Sequence, residues 1–432
     1  MNTKQLRKTK FKIILIATIL IAAIALLVSL LGRSYLRITV APDNAVVTVN
    51  NKVVKLDSSG YAKAKVTPGT AIIKVAADGY IAYSEQVSFA RGRSLVYQIS
   101  LKKNPTEFQI TDDESASDNV QFISDADEDN SIFYLANNGS TLYKAKFELD
   151  TGNNITTKYN IPISGPQLSG IKDMIWSPKR DAAIFRKDNS LYTFLDFKKY
   201  NFVSQEEVKY GENIGDLAWS PDDSKIAYYY APAGGEKSLI FANKTNSEMN
   251  RVANLAEMGI ENPYLSWSPD SEWLIVIPRN TDVATNKIYL FNAYTRSFST
   301  VNDSGGNIAA KFSPDSKKIV YSTISNDAGS TVKQIVSIMD QNGDNKKSLE
   351  LRAYISKINF LNTDSNKLVV ATYNSKTKAE SLFLYNIADK SQDGFEIDLT
   401  AKNFVKEMSL DTNDEMLYYI ANSKFYILSL AK

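Results

Sequence analysis

Carboxylates are the groups in this chain whose spacing could do chemistry. SDADEDN (124–130) sets Asp125, Asp127 and Asp129 at alternate positions, like the opening of a calcium loop. A helix-loop-helix calcium site wants Glu at the twelfth position, where Ala136 stands, so an acidic turn between strands is the plainer reading. MDQNGD (339–344) reads likewise as a strand-connecting turn, with Asn342-Gly343 supplying positive φ. Paired carboxylates cleave glycosides when held about 5–10 Å apart, and a chain with 48 Asp and Glu offers many pairs without fixing one. Composition excludes much else. The 432 residues contain no histidine and no cysteine. That removes imidazole and thiolate metal ligands, disulfides, and every Ser-His or Cys-His pair. No cofactor, no metal site and no catalytic residue is implied.

Residues 13–31, IILIATILIAAIALLVSLL, form an uncharged run of 19, of which 13 are Ile, Leu or Val. At 1.5 Å per residue such a helix spans roughly 28 Å, about one hydrocarbon core. A cleaved signal peptide would carry a shorter apolar region and a clearer cut site than Gly32-Arg33-Ser34 offers. Lys4, Arg7, Lys8, Lys10 and Lys12 precede the run, whereas only Arg33 and Arg37 follow closely. The positive-inside bias then predicts a cytoplasmic tail (1–12), a single-pass signal anchor in the plasma membrane (13–31), and an extracytoplasmic remainder. Charge divides that remainder. Residues 37–103 carry 10 basic and 4 acidic groups, and residues 104–432 carry 34 basic and 44 acidic. An acidic outer module makes nucleic acid an improbable partner, while the basic module suits an anionic surface.

Residues 36–103 are dense in strand signals. Pro42-Asp43-Asn44 separates β-branched runs, Asn50-Asn51 marks a second turn, and Pro68-Gly69 and Asp78-Gly79 bound another strand. In SLVYQISL, Leu95, Tyr97, Ile99 and Leu101 share one face. Six or seven short strands predict a small antiparallel sandwich. The turn Pro42-Asp43-Asn44-Ala45 followed by VVTVNNK, with the later PGT (68–70) and DGY (78–80), resembles the PEGA domain, although Glu and Gly of its name are replaced here. That resemblance implies an envelope module without catalytic groups.

Beyond it a string repeats: IWSPKRDAAIFR (175–186), AWSPDDSKIAYYY (218–230), SWSPDSEWLIVI (266–277) and KFSPDSKKIVYS (311–322). Trp176, Trp219, Trp267 and Phe312 head the copies, and Phe122, Phe360 and Met408 head degenerate ones, giving seven units of 43–54 residues. Each unit reads as four strands, the signature of a propeller blade. Pro178, Pro221, Pro269 and Pro314 preset the second position of a tight turn joining the first and second strands. The aromatic ahead of each turn wedges between blades. Arg180, Asp223, Ser271 and Ser316 hold the fourth turn position, which a type I turn tolerates. The last unit lacks a strand, and EFQIT (107–111) is placed to supply it, closing a seven-bladed ring over 107–432.

The Trp/Phe-Ser-Pro-Asp repeats resemble the TolB-type propeller, shared with prolyl-peptidase relatives. A peptidase is excluded, since the chain has no Gly-x-Ser-x-Gly and no histidine. The fold class expected is therefore all-β: an N-terminal transmembrane helix, a small sandwich, then a propeller. Propeller geometry gathers VKYGENIG (208–215), APAGGEK (231–237), EMGIENPY (257–264) and PRNTDVATNK (278–287) on the face opposite the Ser-Pro-Asp turns. Tyr210, Glu212, Glu261, Tyr264 and Arg279 are the recognition residues expected there. The function expected is a non-enzymatic, membrane-anchored binding or scaffold protein of the cell envelope, recognising a protein or polysaccharide. The alternatives are a glycan hydrolase or lyase using propeller carboxylates, and a purely structural spacer.

Overall fold

In a computed structural model of the chain, the described residues are 15–23, 34–104, 106–110, 122–124, 131–136, 141–149, 155–162, 171–187, 191–196, 208–279, 287–301, 306–325, 333–374, 379–398, 405–422 and 424–430. The chain divides into two compact units, Met1–Asn104 with Ala431–Lys432, and Pro105–Leu430. The expected transmembrane helix is corrected. The helix described covers residues 15–23, and among the described residues no helix is long and apolar enough to cross a membrane. The single-pass anchor loses its support, and with it the plasma-membrane localisation and the extracytoplasmic placement. The rest of the 13–31 run and the 1–12 tail lie outside the described residues, as do Asp125, Asp127 and Asp129.

The first unit contains two sheets. One is ordered Tyr61–Val66, Ser34–Ala41, Ser94–Ser100, and the other Lys52–Val54, Val46–Val49, Gly69–Ala76, Tyr83–Phe89. Period-two alternation sends Leu36, Ile38 and Val40 inward to pack with Val47, Ile73 and Val75. Asn50 and Asn51 turn at φ 49° and 63°. The sandwich is not wholly antiparallel, because Ser34–Ala41 runs parallel to Ser94–Ser100. Apolar alternation tells which face is buried and says nothing of strand direction.

The second unit is a β-propeller, with seven four-stranded antiparallel sheets among the described residues. Their first strands are Phe122–Ser124, Ile171–Trp176, Ile214–Trp219, Tyr264–Trp267, Gly306–Phe312, Ile358–Phe360 and Val405–Leu410, heading blades 1 to 7. The first strands of blades 2 and 3, of blades 3 and 4, and of blades 6 and 7 touch one another, which places them in the innermost layer. The ring closes in blade 7, where Thr106–Gln109 pairs antiparallel with Lys424–Ser429. Ile110 follows, fully buried among Ile132, Tyr134, Tyr418 and Phe425 at the seam of blades 1 and 7.

The repeated string is built from hydrogen bonds. In blade 3 the Asp223 amide donates to the Ser220 carbonyl at 3.0 Å. The Ser220 hydroxyl accepts from the Lys225 amide at 3.0 Å and donates to Asp222 at 2.6 Å. Serine and aspartate thus knit the turn that proline initiates. The fourth position differs from the plain type I expectation. Arg180, Asp223, Ser271 and Ser316 lie at φ 59° to 61°, the left-handed region that ends a type I turn with a bulge. Ser271 and Ser316 use that geometry to accept the Asp222 and Asp270 amides of the preceding blade, both at 3.0 Å. The head aromatics lean on the preceding blade as well: Phe133 stacks on Trp176 at 5.2 Å, and the Trp267 indole donates to the Ala218 carbonyl at 3.2 Å. In MDQNGD the positive φ falls on Gly343 as expected but not on Asn342, and Asn345 just after the string also has positive φ.

At the innermost layer, polar side chains cross the other way, each to the following blade. Asp216 accepts from the Leu265 amide at 2.7 Å, Lys311 donates to the Ile358 carbonyl at 3.0 Å, and Asn359 donates to the Met408 carbonyl at 2.6 Å. A second link between blades 6 and 7 runs through Glu380, which is ion-paired with buried Lys357 and whose second oxygen accepts from the Val405 amide at 2.6 Å. These links tie blade 3 to blade 4, blade 5 to blade 6, and blade 6 to blade 7.

Candidate active site

A cavity of about 540 Å³ opens at the inner ends of blades 4 to 7, lined by Tyr264, Ile277, Pro278, Arg279, residues 308–311, Ile355, Ser356 and Glu407. Its volume lies within the range of small-molecule sites. Each polar group arrives on a rigid element. Tyr264 begins the first strand of blade 4. Arg279 follows Pro278 at the end of Trp273–Ile277, and its amide donates to the Glu261 carbonyl at 3.3 Å. Lys311 stands between buried Ala310 and Phe312 in the first strand of blade 5. Glu407 lies on the first strand of blade 7.

Electrostatics sets the character of the site. Burial pulls the Lys311 amine down from an ordinary 10.5 to about 8, against the opposing pull of Glu407. Burial likewise pushes the Glu407 carboxyl up, partly offset by Lys311. The Tyr264 phenol is raised, chiefly by burial, with smaller effects of both signs from Ser266, Asp216, Arg279 and Glu407. Glu407 is exposed and Tyr264 keeps 36% of its surface open. That exposure is to the cavity mouth, while the enclosing blades supply the low-dielectric surroundings that fix the directions. Arg279 stacks 5.4 Å from the centre of the Tyr264 ring and stands 3.7 Å from Asp216.

Lys311 carries the most specific geometry. Its Nζ donates to the Ile358 carbonyl at 3.0 Å and to Asn359 Oδ1 at 2.9 Å. A neutral amine has two N–H bonds and one lone pair. Both donors find acceptors in blade 6, which leaves the lone pair for the cavity that Lys311 lines. A base of this basicity, held on both donors, is suited to taking a proton near neutral pH.

Of the five residues expected on the loop face, the structure brings two together, Tyr264 and Arg279. Tyr210 is 1% exposed, and its hydroxyl donates to the Lys244 carbonyl at 2.6 Å. Glu212 is exposed in its loop, and Glu261 is ion-paired with Lys237 outside the cavity lining. Residues 280–286 lie outside the described residues. Sequence reasoning missed Lys311, Glu407 and Asp216. A signal existed: Lys311, Asn359 and Glu407 fill the position before the head residue (Phe312, Phe360 and Met408), which in blades 2 and 3 holds Ile175 and Ala218. Among the described residues no group of three or more carboxylates is placed to hold a metal ion.

No family model matches the chain, and no curated protein is similar to it in sequence. Among solved structures, an oligogalacturonate lyase from Vibrio parahaemolyticus matches with TM-score 0.51 and 11% identity, over 76% of this chain and 96% of that one. The tricorn protease matches with TM-score 0.49 and 10% identity, over 88% of this chain and 40% of that one. TolB from Acinetobacter baumannii matches with TM-score 0.37 and 15% identity, over 72% and 78%. Likeness at this level shows the fold alone. The expectation of a non-enzymatic binding protein is nonetheless corrected. A neighbour of similar fold is an enzyme, an oligogalacturonate lyase, so the fold gives that expectation no support over the glycan-lyase alternative.

Proposed function

We propose that the cavity is the active site of a lyase that cleaves a uronate-containing glycan by β-elimination. The observation that carries this reading is Lys311, with both amine donors engaged and its basicity lowered to about 8. Arg279, half exposed at the mouth, holds the uronate carboxylate, since its guanidinium matches that geometry. Lys311 takes the proton from the carbon next to the carboxylate. The C–H electron pair becomes a carbon–carbon double bond as the bond to the glycosidic oxygen breaks. The Tyr264 phenol, kept protonated by its raised pKa, gives its proton to the departing oxygen. Solvent then moves the proton on Lys311 back to Tyr264. The oligogalacturonate lyase of similar fold supplies the substrate class for this proposal. For residues 36–103 we keep the PEGA likeness as part of the same proposal, supported by its turn motifs and paired sheets.

The test is incubation of the full chain with polygalacturonate, alginate and glycosaminoglycan uronates, following the ultraviolet absorbance of the conjugated product. Activity is expected to rise with pH through about 8 as Lys311 loses its proton, and to disappear in Lys311→Met. No absorbance gain with any of these polymers between about pH 7 and 9 overturns the reading.

A further inference from the structure

We propose that the segment leading into the cavity from blade 5 is an outer subsite, on which the next uronate ring of an oligosaccharide stacks against Tyr354. This deepens the lyase reading and rests on it for the substrate class. Along residues 352–357 exposure alternates: Arg352, Tyr354 and Ser356 face outward, while Ala353, Ile355 and Lys357 are buried. Tyr354 is extended, with φ −77° and ψ 144°, and in extended backbone alternate side chains share one side. Arg352 and Tyr354 therefore project together. Directly after Tyr354 the chain enters the 3-10 turn Ile355–Lys357, whose Ile355 and Ser356 line the cavity. The segment thus passes from open surface to the proposed reacting centre.

The segment is held firmly. The Tyr354 carbonyl accepts from the Lys357 amide at 2.9 Å, and the Thr372 hydroxyl donates to the Arg352 carbonyl at 2.7 Å. Lys357 is fixed by its ion pair with Glu380. Its Nζ lies 5.7 Å from the centre of the Tyr354 ring. Tyr354 is still 59% exposed. An isolated exposed tyrosine is ordinary. This one is pinned on both flanks at the lip of a cavity, so its ring is presented with little ordering left for a ligand to impose. The apolar face of a pyranose fits the ring, and Arg352 is the cation within reach of a carboxylate on that sugar.

The test compares binding of digalacturonate and hexagalacturonate to the full chain at about pH 6, where Lys311 retains its proton and turnover is suppressed. Titration calorimetry is run on the wild type, Tyr354→Ala and Tyr354→Phe. The hexamer is expected to bind more tightly than the dimer. Tyr354→Ala weakens the hexamer about tenfold with little effect on the dimer, and Tyr354→Phe restores it. Equal affinities for wild type and Tyr354→Ala at both lengths overturn the subsite, whether or not turnover has been seen. Length-dependent binding that needs Tyr354, without turnover at about pH 8–9, supports the subsite and overturns only the lyase reading. Failure of both oligomers to bind overturns the subsite.

Discussion

Replacing Lys311 by Met tests the electrostatics of the cavity without any substrate. In the folded chain the amine loses its proton at about 8 instead of 10.5. Its folded pKa is thus depressed below the unfolded value. Below about pH 8 both states hold the proton and the folded state carries the full cost of the buried charge. Between about 8 and 10.5 the folded state sheds the proton while the unfolded state keeps it, so stability rises with pH. At about 1.4 kcal/mol per pH unit the gain across that window is about 3 kcal/mol, an order of magnitude that solvent at the cavity mouth reduces. Lys311→Met abolishes this dependence. It also leaves the Ile358 carbonyl and Asn359 Oδ1 without this donor, at about 1 kcal/mol each. Near pH 7 the variant should match the wild type or exceed it by about 1 kcal/mol, and near pH 10 it should be less stable by about 2 kcal/mol. Urea unfolding followed by tryptophan fluorescence is the assay, because all four tryptophans, Trp176, Trp219, Trp267 and Trp273, lie in the propeller. A stability difference that stays constant from about pH 7 to 10 refutes the lowered basicity of Lys311.

Glu407→Gln removes the carboxylate that favours the Lys311 ammonium, so the amine should lose its proton at still lower pH; mass-spectrometric labelling of Lys311 against pH reads the shift, and an upward one contradicts the reasoning. Ser316→Ala keeps the φ of 61° and deprives the Asp270 amide of its acceptor, at a cost of about 1–2 kcal/mol. Ser316→Gly loses the same bond but relieves the left-handed backbone, so it should be more stable than the alanine variant by about 1 kcal/mol; urea midpoints in the reverse order would count against the strain argument. Ile110→Ala should cost about 2–4 kcal/mol by opening a void at the closing seam. A loss under about 1 kcal/mol in thermal unfolding would mean that this segment does not seal the ring.

The blades were legible because their signal is local and recurrent. Trp219, Ser220 and Asp222 each have a partner within five residues, and a short window carries the whole turn. The closing strand was legible by subtraction, from a last blade one strand short. The cavity was not, since its decisive contacts span blades. Lys311 meets Ile358 and Asn359 nearly fifty residues away, and only the ring geometry turns that separation into a hydrogen bond. Lys311 also lies inside KFSPDS, where the repeat explains the neighbours so well that the lysine passes as part of the pattern. Tyr210 misled for the opposite reason. An amphipathic aromatic in a loop string looks like a contact residue, but its ring is buried and its hydroxyl satisfies the backbone carbonyl of Lys244 in a turn. The anchor rested on the length of the apolar run and its flanking charges, whereas the helix described covers residues 15–23.

The pairing of Thr106–Gln109 with Lys424–Ser429 also orders events during synthesis. Blades 1 to 6 are each contiguous in sequence and can form as they leave the ribosome, but blade 7 waits for a strand made long before and must find it from across the whole ring. Such a distant match makes closure the slow, entropically expensive step. Until it happens, the flanks of blades 1 and 7 stand open with Ile132 and Phe425 uncovered, and that interval is when the nascent protein is most prone to stick to its neighbours.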